Sequence, residues 1–222
     1  MLKAIIFDLD NTLIDFMRMK RVSCEKAVKA MKLDISDEKA LKDIYKLYSK
    51  TNMEDHEIFD KFLMKHYGHI DYAKLGRAIV AYRKAREENL HAYPNVKKTL
   101  LNLKKKGMKL VLITDAPRIK AWVRLARMGL EDMFDVVITL DDSGKKKPSK
   151  HPFRIALDKL NVKPYECLMV GDSPSRDING AKGLGMKTCF ARYGYIGKKK
   201  DVKADYYINS FKDLVSMTKL SQ

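Results

Sequence analysis

Glutamine is nearly absent from this chain, with Gln222 its only example. Combined with abundant lysine, that deficit is the composition expected of a high-temperature source. Cysteine is scarce as well. Cys24, Cys167 and Cys189 are odd in number, far apart and without a Cys-x-x-Cys pair, which argues against both a disulfide framework and a zinc site. Reduced, buried thiols in a cytoplasmic protein are the expectation. Long apolar runs are missing too: the stretch after Lys3 is interrupted by Asp8, too early for a signal-peptide core, and nothing approaches a membrane span. The chain reads as soluble, with no membrane partner.

Basic blocks of nucleic-acid-tail length are also lacking. Lys104 to Lys106, Lys145 to Lys147 and Lys198 to Lys200 are short runs, and no RNA-reading aromatic motif or zinc-finger spacing accompanies them, so nucleic acid is disfavoured as a partner. What is present is a net charge of +17, from 45 Lys and Arg against 28 Asp and Glu. Such a field attracts anions of every kind, phosphorylated metabolites included, and its even spread reads mainly as a solvated surface. At 222 residues and 45% hydrophobic, the chain has room for one large α/β domain, or for a core of about 150 residues with an inserted module.

Short apolar, β-rich runs occur at 4–9, 110–114, 136–139, 167–170, 188–191 and 206–208, with helix-length segments between most of them. That alternation predicts an α/β fold, a doubly wound parallel sheet with helices on both faces. Helices are predicted over 96–106, with Val96, Leu100, Leu101 and Leu103 on one face, around Phe153 to Leu160, and from Ser173 toward Leu184. Residues 16–92 break the rhythm. They show four amphipathic helical patches, 17–33, 37–50, 53–67 and 72–90, with Ser36 as an N-cap and Thr51 to Glu54 as a capping box for the third. Met17, Met19, Met31, Met53 and Met64 in this stretch read as core filling rather than a binding surface. His56, His66 and His69 show no metal-ligand pattern. The expected organisation is a core of 1–15 and 93–222 carrying a helical insert of 16–92. The insert holds 17 basic and 12 acidic residues, so most of the positive excess lies on the core.

Asp8-Leu9-Asp10-Asn11-Thr12 directly follows the run Ala4-Ile5-Ile6-Phe7. Two carboxylates two residues apart leave the carboxyl end of a buried strand on one side, a geometry suited to a nucleophile and its proton-transfer partner. Either acid alone would be an ordinary acidic turn. The pair acquires meaning from Thr114-Asp115, Lys147-Pro148 and Gly171-Asp172 with Asp177, because open parallel sheets bind ligands outside the carboxyl ends of their strands. Acids, one Lys and one Thr hydroxyl gathered there are what metal-assisted phosphoryl transfer requires.

In order and spacing, these four groups resemble the motifs of the haloacid dehalogenase superfamily, and the insert resembles the helical cap that many members carry after the first strand. The resemblance implies a Rossmann-like core and a phosphatase acting on a small phosphate ester through an aspartyl-phosphate. Asp8 would be the nucleophile. Asp10 would protonate the leaving alcohol and then deprotonate water. Thr114 would hydrogen-bond a phosphoryl oxygen, with backbone N–H groups around Leu9, Asp10 and Asp115 completing the cradle, and Lys147 would neutralise charge. Asp8, the carbonyl oxygen of Asp10 and Asp172 would hold Mg2+. Asp177, with Ser173 and Thr12, would support these groups from behind. Asp115 would serve through its backbone only, and Ala116 stands where Gly is frequent in the family.

Within the superfamily, the second acid Asp10 disfavours carbon–halogen chemistry. A phosphonate hydrolase would need a Schiff-base Lys in the cap; Lys20 and Lys50 lie there, with nothing in the sequence marking either as desolvated. A phosphomutase stays open, and a non-catalytic module holding nucleic acid or an acidic protein is disfavoured by the intact catalytic positions. The cap would close over the site and set substrate choice, leaving sugar phosphates, phosphoglycolate and triose phosphates unranked. Monomer and homodimer are both admitted.

Overall fold

The computed structural model describes residues 1–197 and 201–217, so the run Lys198 to Lys200 and Gln222 lie outside the described residues. The described chain separates into two compact units, 1–15 with 91–217, and 16–90.

In the first unit, the six apolar runs form strands β1 (Ala4–Phe7), β2 (Lys109–Ile113), β3 (Val136–Ile138), β4 (Cys167–Gly171), β5 (Lys187–Ala191) and β6 (Tyr206–Ile208). All pair in parallel, in the order β3-β2-β1-β4-β5-β6. Strands covered on both faces must be apolar at every position, which is why β1 and β4 read as unbroken hydrophobic runs and are buried throughout. One face carries Ala4, Ile6, Val111, Ile113 and Met169 against Phe153, Ala156 and Leu157. On β1 the alternate residue Phe7 turns to the other face, where its ring lies 5.7 Å from that of Phe211. Burying a side chain of this size stabilises the fold by roughly 2–3 kcal/mol.

The second unit consists of α1 (Phe16–Met31), α2 (Asp37–Lys50), α3 (Ile58–Tyr67) and α4 (Tyr72–Asn89). Its core is built from Val28, Met31, Ile44, Phe59, Phe62 and Leu63, among others. Ser36 caps α2 by accepting the Lys39 N–H. The capping box expected at Thr51 to Glu54 does not form. Thr51 instead closes α2, and Asn52 Oδ1 and Asp55 Oδ1 accept the N–H groups of Glu54 and Glu57, so local side-chain bonds outcompete the helix until Ile58. Met19 and Met31 are buried, whereas Met64 is exposed. Lys20 corrects the sequence reading: it is buried, its Nζ donates to Tyr82 Oη at 2.9 Å and sits 4.2 Å above the Tyr48 ring. Lys50 is exposed.

The remaining helices are α5 (Val96–Lys105), α6 (Arg118–Arg127), α7 (Leu140–Ser143), α8 (Lys150–Leu160), α9 (Asn179–Lys182) and α10 (Leu214–Met217). On α5, Leu101 is 41% exposed rather than part of the core face, because one residue past Leu100 turns it about 100° away, and Thr99 is buried instead. The helix expected from Ser173 to Leu184 is broken in two: a wide π turn over Pro174–Ile178 precedes the four-residue α9. Cys24, Cys167 and Cys189 are free and buried. Among the described residues no helix is long and apolar enough to cross a membrane.

Candidate active site

β1 lies between β2 and β4, with Phe7 level with Leu112 on one side and Val170 on the other. Adjacent strands are about 4.8 Å apart, so the residues that follow them, Asp8, Thr114 and Asp172, emerge side by side at one sheet edge. Carboxylate oxygens of Asp8, Asp172 and Asp177 all lie within 4.8 Å of one another, and all three residues are buried.

The loop after β1 is held by its own backbone. The Leu9 carbonyl accepts from the N–H groups of Thr12, Leu13 and Ile14, and Asn11 adopts a left-handed conformation with φ 63°. Leu9 itself is fully buried. Thr12 Oγ1 accepts the Asp172 N–H at 3.1 Å and stands 3.3 Å from both Asp8 Oδ2 and Asp172 Oδ1, between which its single proton is shared. Thr114 Oγ1 accepts the Ala116 N–H at 3.1 Å, which ties the turn after β2 to the strand end.

Lys147 reaches this edge from the segment before α8, and its side chain is fully buried. Nζ donates to Asp8 Oδ1 at 2.5 Å and to the Ile113 carbonyl at 3.0 Å. It also lies 2.7 Å from Asp177 Oδ1, an ion pair without the alignment of a hydrogen bond. Burial alone would lower the Lys147 pKa; the charges of Asp177 and Asp8 outweigh it and raise it. Burial pushes Asp172 in the opposite sense for a carboxyl, upward, and neighbouring Asp8 and Asp177 push it further. Asp177 is raised by burial despite the pull of Lys147.

Ser173 supports this arrangement through its N–H, which Asp177 Oδ2 accepts at 3.0 Å, and through Oγ, which accepts from Arg176 Nε at 3.1 Å. Asp115 does more than lend its backbone. Its carboxylate accepts the Lys147 N–H at 2.9 Å and pairs with Arg176 Nη1 at 3.3 Å, linking the turn after β2 to the segments that carry Lys147 and Asp177.

Two cations escaped the sequence reading. Arg176 precedes Asp177 and carried no distinguishing signal. Arg124 did carry one: on α6 it occupies the inward position three past Ala121 and one before Leu125, where an apolar residue belongs, and it is buried. Its Nη1 donates to Asp10 Oδ1 at 2.9 Å and Oδ2 at 2.7 Å. Counted in their ionised forms, the five carboxylates of Asp8, Asp10, Asp115, Asp172 and Asp177 face the cations Lys147, Arg124 and Arg176, a formal excess of two negative charges among these groups. An all-oxygen donor set with that excess fits a hard divalent cation.

Two glycines make the packing feasible. A Cβ on Gly171 would stand 2.4 Å from the Asp177 carboxyl, and one on Gly194 would stand 1.6 Å from the Asn11 carbonyl oxygen. Gly194 follows Tyr193, whose Oη donates to the Thr12 carbonyl at 2.7 Å, so this turn buttresses the Asp8 loop. Gly194→Ala must therefore displace the loop. We expect a loss of about 1–3 kcal/mol in thermal unfolding, with turnover reduced at least about tenfold. Gly76→Ala in α4, where nothing lies within 4 Å of the added carbon, should instead stabilise by about 0.5–1 kcal/mol.

The model of the haloacid dehalogenase-like hydrolase family matches residues 5–191, and the chain belongs to that family. It is 35% identical to the glyceraldehyde 3-phosphate phosphatase of Methanocaldococcus jannaschii, over 99% of this chain and 98% of that protein. It is 29% identical to the pyrophosphatase PpaX of Bacillus mycoides, over 96% of this chain and 95% of that protein. Among solved structures, a HAD phosphatase of Thermococcus onnurineus superposes with a TM-score of 0.69 at 28% identity, covering 98% of each chain.

Proposed function

We propose that this protein is an Mg2+-dependent phosphatase that hydrolyses a small phosphorylated metabolite through an aspartyl-phosphate on Asp8. That it is a phosphoric monoester hydrolase follows from its family and from relatives named as phosphatases. The observation that carries the finer reading is the buried cluster of Asp8, Asp172 and Asp177 with Lys147 Nζ 2.5 Å from Asp8.

In this reading an Asp8 oxygen forms a bond to phosphorus as the ester P–O bond breaks, and the departing oxygen takes the proton of Asp10. A water oxygen then attacks the phosphorus of the aspartyl-phosphate and gives its proton back to Asp10, while the Asp8–phosphorus bond breaks to release phosphate. The Thr114 hydroxyl, which already accepts from Ala116, donates its own proton to a phosphoryl oxygen. Backbone N–H groups around Leu9, Asp10 and Asp115 complete the cradle. Lys147 offsets the charge of the nucleophile and the transferred group. Asp8, Asp172 and the carbonyl oxygen of Asp10 would hold Mg2+, which when bound would supply charge neutralisation. Asp177, Ser173 and Thr12 fix these groups in place. The helical unit of 16–90 acts as the cap that sets substrate choice, and glyceraldehyde 3-phosphate, named for the Methanocaldococcus relative, is the first ester to try.

The test is phosphate release from a panel of phosphorylated metabolites. We expect activity with Mg2+ that falls at least about a hundredfold on chelation and returns when the ion is restored. Undiminished turnover in chelator would remove the metal from the mechanism. A phosphomutase, the alternative that shares this chemistry, would return an isomerised hexose phosphate in place of free phosphate.

A further inference from the structure

We infer that Arg124 is a positioning residue that holds the Asp10 carboxylate in the orientation from which it serves the leaving oxygen, a role that rests on the acid–base assignment of Asp10 above. The Asp10 backbone is already fixed, since the loop is pinned through the Leu9 carbonyl and Asp10 bridges to Ile14. Its side chain keeps two rotatable bonds and is 24% exposed. Misplacing a catalytic group by about 1 Å costs on the order of a hundredfold in rate. Nη1 of the Arg124 guanidinium, on a side chain only 8% exposed, donates to both carboxylate oxygens and restricts that freedom.

An inward-facing Arg on α6 also calls for a reason. Its flanking partners on the same helix face are Ala121 and Leu125, both fully buried, and a Leu at 124 would continue the apolar stripe. Burying a guanidinium instead costs desolvation that an ion pair must offset, and a hydrophobic replacement is often as stable. Stability alone is thus a poor explanation for an Arg here, whereas orienting a proton donor requires a fixed hydrogen-bonding partner. Because Arg124 reaches Asp10 from the helix that follows the Thr114-Asp115 turn, it also couples the placement of the acid to the part of the site that cradles the phosphoryl group.

The test uses the dependence on leaving group, which a merely structural role would not produce. A nitrophenolate departs without a proton, whereas the alkoxide of glycerol 2-phosphate requires one, and kcat/KM reports the step in which that oxygen leaves. In the full-length protein with Mg2+, Arg124→Met should lower kcat/KM for glycerol 2-phosphate at least about tenfold more than for 4-nitrophenyl phosphate. Arg124→Lys, which keeps the charge but replaces the rigid planar guanidinium with a flexible ammonium, should show the same split reduced, and it carries the comparison if the Met variant does not fold. Equal losses on the two esters, or no loss, would overturn the proposal. Asp10→Asn serves as the reference: if it shows no split, the acid–base reading itself fails, whereas a split in Asp10→Asn without one in either Arg124 variant rejects Arg124 alone.

Discussion

Asp8→Asn should lower phosphate release at least about 10,000-fold while leaving the melting temperature equal to or above that of the parent. The activity falls because an amide cannot form the proposed phosphoryl intermediate at a useful rate. The stability does not fall, because Asp8, Asp172 and Asp177 crowd within 4.8 Å and neutralising one relieves repulsion among the rest. Lys147 loses one partner but keeps Asp177 at 2.7 Å and the Ile113 carbonyl at 3.0 Å. The Mg2+ response should change as well. With the ion at a hundredfold excess over its dissociation constant the parent gains about 2.7 kcal/mol, most of which the variant should lose. Phosphate assays and thermal melts with and without Mg2+ read all three quantities. Turnover within tenfold of the parent would remove Asp8 from the nucleophile's role.

Lys147→Met has the opposite profile, a loss of both activity and stability. The ammonium is fully buried and stands between Asp8 and Asp177, so its removal leaves two buried carboxylates without their common cation. Breaking a buried pair from one side costs about 3–5 kcal/mol, because the remaining charge is uncompensated. Denaturant unfolding without Mg2+ should register that loss. The double variant Lys147→Met with Asp177→Asn should recover about 1–3 kcal/mol of it, since one of the stranded charges is then absent. Additive losses would mean that Lys147 contributes through packing alone and that the electrostatic picture is wrong.

How far the fold could be read in advance differed by level. Buried parallel strands need apolar residues at every position, so β1 and β4 stood out as runs, and the acids at their ends were conspicuous because charge rarely interrupts such a run. Local competition was harder to see. At Asn52 and Asp55, side-chain bonds to the next turn delay α3 by several residues, and both a helix and a turn suit that stretch until packing arbitrates. The π turn at Pro174–Ile178 is equally silent in the sequence, yet it is what lets Asp177 fold back so that its carboxylate accepts the Ser173 N–H.

Order and spacing along the chain were enough to establish the α/β class and the family, because each depends on periodicity or on short contiguous motifs. The pairing of Arg124 with Asp10, 114 residues apart, the bridging of three chain segments by the Asp115 carboxylate, and the burial of Lys20 beneath Tyr48 and Tyr82 were decided only by folding. The physical reason is that a charged side chain takes its meaning from what surrounds it, and those neighbours are brought by strand order and helix orientation rather than by the residues next to it in the chain.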